Sequence, residues 1–444
     1  MIRPAAARAV GPVGVRDSAR VTPRPDNIRI SVLDSRTTVI TEHMPDVLSV
    51  TTGIWVGVGS RDEDAGHAGA SHFLEHLLFK GTAERRAHEI AEAIDAVGGE
   101  MNAFTTKEYT AFHTRTLADD LELGLGLLCD IVSSPALRPE EVDAERQVIL
   151  EEILMHADEP ADLVHDLAHT MLYGDHGLGR ETLGDQRTVA SLTDDDIRTF
   201  MDASYVGETM VVAAAGRVTH EDVVDLVQAR LHRPSSGAVP PRTGPDRVAR
   251  SEVVVRSDDT EQAHLVVAIP SIGRLDPDRY ALSVVEHVLG GGLSSRLFLE
   301  IRETRGLVYS VYSYRAVYSE TGHFGIYAGT SPGKADEVLQ LIDDELRRLG
   351  DTGITDVELR RAKGSLRGGT ALGLEDSGSR MGRIGRGQLL YGEVPPIDTV
   401  LARTDEVTLA DCDRVIERLL AEPRSLAVVG PFSAEDFAGH PVLG

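Results

Sequence analysis

His72, Glu75 and His76 fall within one short run, Ser71-His-Phe-Leu-Glu-His-Leu-Leu78. At about 100° per residue on a helix these three share a face, while Phe73, Leu74 and Leu77 point towards a core. Two imidazoles one turn apart can grip one metal ion from the same side. Zinc takes neutral imidazole nitrogens at about 2.0–2.1 Å, and a catalytic site uses three protein ligands with a fourth position left for water. Glu75, beside His76, is placed to take a proton from that water rather than to ligate. The order His-x-x-Glu-His reverses the commoner His-Glu-x-x-His. A satisfied, half-buried histidine pair on an amphipathic helix would show the same pentad, so the motif needs a partner. One lies downstream in Asp143-Ala-Glu-Arg-Gln-Val-Ile-Leu-Glu-Glu-Ile-Leu154, where Glu145 and Glu152 are two helical turns apart and share a face. Val148 and Ile149 are expected on or near the buried side, with Glu151 solvated.

These residues need elements to hold them. Short apolar and alternating runs from Ile28 to Val58 read as antiparallel strands, and the helix of His72 follows. A second helix from about Ala87 to Val97 stops at Gly98-Gly99. Glu100 to Leu117 alternates as a hairpin. Helices are expected over about Leu117–Ser133, Pro139–Ala157 and Ala161–Tyr173, with a capped start at Thr193-Asp-Asp-Asp and a closing strand from Met210 to Ala215. The Pro/Gly/Ser-rich stretch 233–250 reads as a linker. Beyond it the programme repeats. Ser283-Val-Val-Glu-His lies over His72-Phe-Leu-Glu-His, and with one offset of 215 Val142, Glu145, Arg146, Glu152 and Thr193 fall on Val357, Arg360, Arg361, Arg367 and Thr408. Ser for His and Arg for Glu cannot bind zinc, so the second copy keeps the pattern and loses the site. The fold class expected is α+β, with two homologous halves, each a mostly antiparallel sheet with helices packed on one face. The divisions are a flexible tail over 1–26, a metal-binding half over 27–232, the linker over 233–250 and a degenerate half over 251–444.

The run Gly53-Ile-Trp-Val-Gly-Val-Gly-Ser-Arg-Asp-Glu, His72 to Thr82, and Glu145 to Glu152 resemble the pitrilysin/insulinase family of zinc peptidases, in its processing-peptidase-like branch, from about Asn27 onward. The resemblance implies one Zn2+ per chain on His72, His76 and Glu152, with Glu75 as general base and Glu145 holding a ligand in place. It implies that the halves, or two chains, close like a clam-shell around a chamber. Arg302 and Tyr309 would then bind the substrate backbone and steady the oxyanion, and the glycine-rich loop Gly290-Gly-Gly-Leu would contribute to substrate entry. Asn102, Ala103, Phe104 and Thr105 resemble the edge strand on which an extended peptide is added. Asp162 and Asp166 sit where processing peptidases carry carboxylates for a substrate arginine. The activity implied is endopeptidase cleavage of extended or presequence-like peptides. The chain would act as a homodimer or in a hetero-oligomer with a related subunit. Against this stand a non-catalytic partner subunit or peptide-binding scaffold of the same fold and a metal-free helical repeat protein.

Composition bounds the rest. At 444 residues, 41% hydrophobic and 26% charged, the chain exceeds one ordinary core and reads as globular. A net charge of −26 disfavours nucleic acid and anionic membranes and would suit cationic peptides, or simply solubility. Cys129 and Cys412 suggest buried thiols in a reducing compartment. No run of about 18 apolar residues is present to span a membrane. Arg3, Arg8, Arg16, Arg20 and Arg24 superficially resemble an organelle transit segment, but Pro4, Gly11, Pro12 and Gly14 interrupt any helix there. Only Lys80, Lys107, Lys334 and Lys363 are lysines, an arginine bias that suits a GC-rich bacterial genome. The localisation expected is bacterial cytoplasm, with a mitochondrial matrix as the alternative.

Overall fold

A computed structural model describes residues 27–237, 241–245 and 251–444; the tail expected over 1–26 and parts of the linker lie outside the described residues. The first half runs β1 (Ile28–Val32), β2 (Thr38–His43), β3 (Ser49–Val56), α1 (Ala70–Leu78), α2 (Ala87–Ala96), β4 (Glu100–Thr105) and β5 (Thr110–Leu117). It continues with α3 (Leu121–Ser133), α4 (Pro139–Ala157), α5 (Pro160–Tyr173), α6 (Gln186–Ser191), α7 (Asp194–Ser204), β6 (Met210–Gly216) and α8 (His220–Arg230). The second runs β7 (Val253–Ser257), β8 (Ala263–Ser271), α9 (Arg279–Gly290), β9 (Val308–Val317), β10 (Gly322–Thr330), α10 (Ala335–Thr352), α11 (Asp356–Gly373), α12 (Ser377–Tyr391), α13 (Ile397–Glu406), α14 (Leu409–Leu420) and β11 (Ser425–Gly430).

The strands form two sheets, ordered β1-β2-β6-β3-β5-β4 and β7-β11-β8-β10-β9. Apart from β1 the two orders match strand for strand, and among the described residues the only parallel pair in each is the corresponding one, β2 with β6 and β7 with β11. The expected duplication of an α+β half is therefore seen in the topology. It reaches fine detail: Thr193 caps α7 through Asp196 and Thr408 caps α14 through Asp411 with the same reciprocal hydrogen bonds. Among the described residues no helix is long and apolar enough to cross a membrane. Cys129 and Cys412 are buried free thiols.

Each sheet has one face packed by helices of its own half. Phe73, Leu74, Leu77, Leu125 and Ile149 close over Ile54 and Phe112 in the first, and Val285, Leu289, Ile342 and Leu346 over Val267 and Ile326 in the second. The expectation of helices on one face needs an addition, because an equally apolar second face must also leave water. That face is covered from the opposite half. Helix α5 lays Val164, Ala168, Met171 and Leu172 on Val266, Ala268, Ala427 and Val429 of the second sheet. Reciprocally, α12 lays Met381 and Ile384 on Ile40, Trp55, Val211 and Ala213 of the first. Each such Val, Leu, Ile or Met side chain contributes about 1.5–3 kcal/mol when fully buried. The approach of α12 is close enough that a Cβ on Gly385 would lie 2.3 Å from Trp55 Nε1.

Two local expectations are corrected. Leu117 pairs with Ser49 as the last residue of β5, so α3 begins only at Leu121, after a tight turn over Ala118–Asp120. Val148 is 49% exposed while Ile149 is fully buried, because the apolar stripe of α4 is narrow, carried by Val142 and Ile149 with the buried Glu145 between them. The described part of the stretch read as a linker is tied to the first half: Arg242 binds Asp62 at 2.7 Å and the carbonyl of Gly57 at 3.0 Å.

The α5 seam is polar as well as apolar. His169 donates from Nδ1 to the carbonyl of His165 at 2.9 Å and accepts the Tyr318 hydroxyl at Nε2, also at 2.9 Å. Burial pushes the imidazole down from its ordinary 6.5 to about 4. The folded seam thus holds His169 neutral where the unfolded chain would protonate it. Its stabilisation is fully present above about pH 6.5 and is lost as pH falls from there towards 4. Urea unfolding followed between pH 7.5 and 5 should lose up to about 1.4 kcal/mol per pH unit from this group. His169→Gln should flatten that slope by up to about one proton, and an unchanged slope would refute the assignment.

A candidate metal centre on α1 and α4

Helix α1 is held at its start by a buried carboxylate. Glu63 accepts the backbone N–H groups of Gly69 at 2.8 Å and Ser71 at 2.7 Å, filling two of the donors a helix leaves open at its first turn. Burial pushes the Glu63 carboxyl up to about 7. Gly69 has φ +98°, and a Cβ there would sit 2.7 Å from the Leu183 carbonyl, so only glycine fits the entry to this helix. Phe73, Leu74, Leu77 and Leu78 then anchor it in the core with at most 1% exposure. The opposite face meets α4.

His72 and His76 present their rings there, 4.6 Å apart between centroids. Glu152 Oε2 lies 3.7 Å from His72 Nε2 and 3.6 Å from His76 Nε2. All three donor atoms fall within 4.8 Å of one another. The separations are too long for hydrogen bonds, yet they suit donors sharing an ion, since ligands about 2.0–2.2 Å from a tetrahedral zinc lie about 3.4 Å apart. Burial, with His76 beside it, pushes His72 down to about 4, so it is neutral at neutral pH as a ligand must be. Glu145 accepts from His76 Nδ1 at 3.1 Å and pairs with Lys80 at 2.6 Å. That contact fixes the proton on Nδ1 and leaves the Nε2 lone pair for an ion. His72 Nδ1 is buried without a hydrogen-bond partner. These residues fit a zinc ion.

Glu75 stands outside this donor group. Burial raises its carboxyl, and the Thr105 hydroxyl donates to it at 2.5 Å. Thr105 ends β4, which among the described residues pairs only with β5 and leaves its other edge unpaired in the sheet order. Along β4, Glu100, Asn102 and Phe104 are exposed while Met101, Ala103 and Thr105 are half-buried.

The remaining expected residues lie apart from the donor group. Arg302 stacks its guanidinium 5.6 Å from the Tyr309 ring and 5.1 Å from Phe298, and Tyr309 is 79% exposed on β9, the corresponding edge strand of the second sheet. Neither bonds to His72, Glu75, His76 or Glu152 among the described residues. Asp162 is exposed, whereas Asp166 is engaged, 2.5 Å from His156 Nε2 and beside Glu181. Burial and the neighbouring Glu181 carboxylate push Asp166 up to about 7. In the second half Ser283 turns back to the Arg279 carbonyl at 2.8 Å and Arg367 pairs with Asp405 at 2.9 Å. Sequence reasoning missed Glu63, Lys80 and Glu181. Lys80 carried a signal, one turn beyond His76; Glu63 and Glu181 sit on loops, where no periodicity marks a partner.

The insulinase family model (peptidase family M16) matches residues 38–186, and that of the peptidase M16 inactive domain matches residues 191–366. This chain belongs to the M16 family. The M16 match called inactive includes Ser283, which stands where a first-half histidine would be. Relatives named as uncharacterized zinc proteases include one from Streptomyces coelicolor, 47% identical over 91% of this chain and 90% of its own length. Another from Mycobacterium tuberculosis is 45% identical over 89% and 92%, and one from Bacillus subtilis 36% over 88% and 96%. Two crystal structures share the fold. One is of a peptidase M16 inactive domain from Pseudomonas fluorescens (TM-score 0.85, 22% identity, 92% of this chain and 98% of that one). The other is of a protease from Helicobacter pylori (TM-score 0.84, 21% identity, 93% and 99%).

Glu152→Ala should abolish stoichiometric zinc by elemental analysis. Glu145→Ala should retain the donor set but weaken zinc binding about 10–100-fold in a competition titration. Unchanged occupancy in the first variant would remove Glu152 from the ligand set.

Proposed function

We propose that the chain is a zinc-dependent endopeptidase acting on extended peptides. One observation carries the reading: His72, His76 and Glu152 converge on a common point while Glu75, one residue from His76, is held out of that group by Thr105. A zinc ion on those three donors would supply Lewis acidity towards a peptide carbonyl and a water. The protein's own groups do the rest.

Glu75 takes the proton of the attacking water and delivers it to the leaving amine. A carboxyl raised by burial is suited to both steps, because its proton affinity lies closer to working pH than that of a solvated glutamate. Glu145 and Lys80 keep His76 in one tautomer throughout. The free edge of β4 offers backbone N–H and C=O groups to a peptide lying alongside, which gives affinity independent of sequence and aligns the chain next to Glu75 through Thr105. Tyr309, exposed and braced by Arg302, lies apart from the donor group, and its role as the hydroxyl towards the oxyanion rests on the family resemblance alone.

Glu75→Gln should keep one zinc per chain and lower kcat by about 10²–10⁴-fold on an internally quenched peptide. Loss of zinc together with activity would make Glu75 a ligand, and full activity with zinc retained would end its role as base.

A further inference from the structure

Between the two halves lies a cavity of about 1310 Å³, walled on one side by Trp55, Phe104 and Tyr109 of the first half and on the other by α9, β9, α12 and α13. Its lining is cationic in an acidic chain: Arg274, Arg279, Arg315, Arg383, Arg386 and Arg403, with Lys107 bonded to the Arg180 carbonyl, against Glu108 and Glu393. Some of these charges are accounted for. Arg274 is bonded to Glu108, and Arg315 pairs with Glu286 at 3.2 Å. Arg383 bonds to the Pro395 carbonyl.

Arg279, Arg386 and Arg403 differ in lacking an acidic partner, although Arg279 also bonds to the Asp276 carbonyl at 3.2 Å. Among the described residues none of them has a carboxylate within ion-pair distance. Arg279 and Arg403 flank the same ring, their guanidinium carbons 4.8 and 6.0 Å from the centre of Tyr280, and Arg403 also reaches the Tyr280 hydroxyl at 3.4 Å. Arg386 makes no hydrogen bond or ion pair there. With 71 acidic residues against 45 basic ones, the missing counter-ions do not reflect a shortage of acids. Glu393 and Glu406 act on Arg403 only from beyond ion-pair distance. Guanidinium groups gathered without directly paired carboxylates repel one another, and their planar donor forks suit carboxylate oxygens.

The cavity also meets the β4 edge. Phe104 lines it, and the next residue, Thr105, holds Glu75. Successive side chains of a strand point to opposite faces about 3.3 Å apart along the chain. A peptide beside β4 therefore sends alternate side chains towards the Phe104 side, within a few residues of the bond at Glu75.

We propose that this cavity takes carboxylates of the peptide, either an Asp or Glu side chain or a free C-terminus, on Arg279, Arg386 and Arg403. The proposal rests on the peptidase reading above and names its substrate class, which is the opposite of the cationic peptides that the net charge alone would suit. The test uses four versions of one peptide, with Asp/Glu or Asn/Gln near the cleaved bond and with a free or amidated C-terminus. They are compared on zinc-loaded wild type, on Arg386→Gln and on Arg279→Gln/Arg386→Gln/Arg403→Gln. Wild type should cleave carboxylate-bearing versions about tenfold more efficiently at low salt, through KM rather than kcat. The triple variant should lose that preference and still cut the neutral version. Arg386→Gln, which removes an exposed and unpaired side chain, should lose part of it and stay folded. Loss on Asn/Gln replacement assigns side chains; loss on amidation assigns the C-terminus.

Equal cleavage of all four peptides by wild type, or a preference that survives the triple change, overturns the proposal. Fluorescence anisotropy with zinc-loaded Glu75→Gln separates the two readings. Carboxylate-dependent binding that the arginine changes remove supports the cavity even where no peptide is cut, and binding indifferent to both carboxylates and arginines refutes it.

Discussion

Two apolar sheets, each with a second face that its own half leaves bare, set the terms for this molecule. The solution is an exchange: α5 covers the second half's sheet and α12 covers the first half's. The exchange follows helices whose counterparts match by position, since α5 comes directly after α4 and α12 directly after α11. It places the chemistry as well. Helix α4 must carry Glu152 to α1 and then hand the chain to α5, so the same connection that completes the donor group also commits the chain to the opposite sheet. Around Glu108 the halves are joined again. Its buried carboxylate meets Arg61 at 2.6 Å and Ser319 at 2.7 Å, and also Arg274, three groups drawn from both halves. Removing one partner from such a buried network leaves charge uncompensated, which costs several kcal/mol.

Within this frame the two halves divide their duties by a few substitutions. The first keeps His72, His76 and Glu152 in register. The second has the corresponding helices, α9 and α11, and nearly the same strand order, with polar groups that satisfy one another: Ser283 on a helix carbonyl, Glu286 on Arg315, Arg367 on Asp405. What the second half adds instead is positive charge facing the cleft. An overall charge of −26 and an arginine-lined cavity are compatible because the field at a binding site is set by groups within about a Debye length, roughly 8–10 Å, and not by the sum over the surface.

Much of this was legible in the chain. The pentad His72–His76, the two-turn spacing of Glu145 and Glu152 and the 215-residue echo are local periodicities, and local periodicity survives folding because it fixes which side chains share a face. Helix α4 ends where the pattern put it, and Thr193 caps α7 as read. What escaped depends on contacts distant in sequence. Nothing in Val164, Ala168 and Met171 says whether their apolar stripe meets the sheet of its own half or the other one. Val148 looked as buried as Ile149 because both are aliphatic and adjacent, and only the width of the α1–α4 contact separates them. Glu63 and Glu181 act from loops, and the arginines of the cavity come from the loop before α9 and from α9, β9, α12 and α13, which no window of sequence brings together.

The exchanged helices have a bearing on how such a chain could have arisen. A duplicated unit that lends its helix to a twin is complete only as a pair. An ancestor of one unit's length would have met the same bare sheet face and met it by associating with a second copy, each supplying the other's cover. Fusion into one polypeptide then removes the need for identity between the two copies. Once a single gene encodes both, one can shed its metal donors without loss, because its structural debt to the other is discharged by helix packing alone.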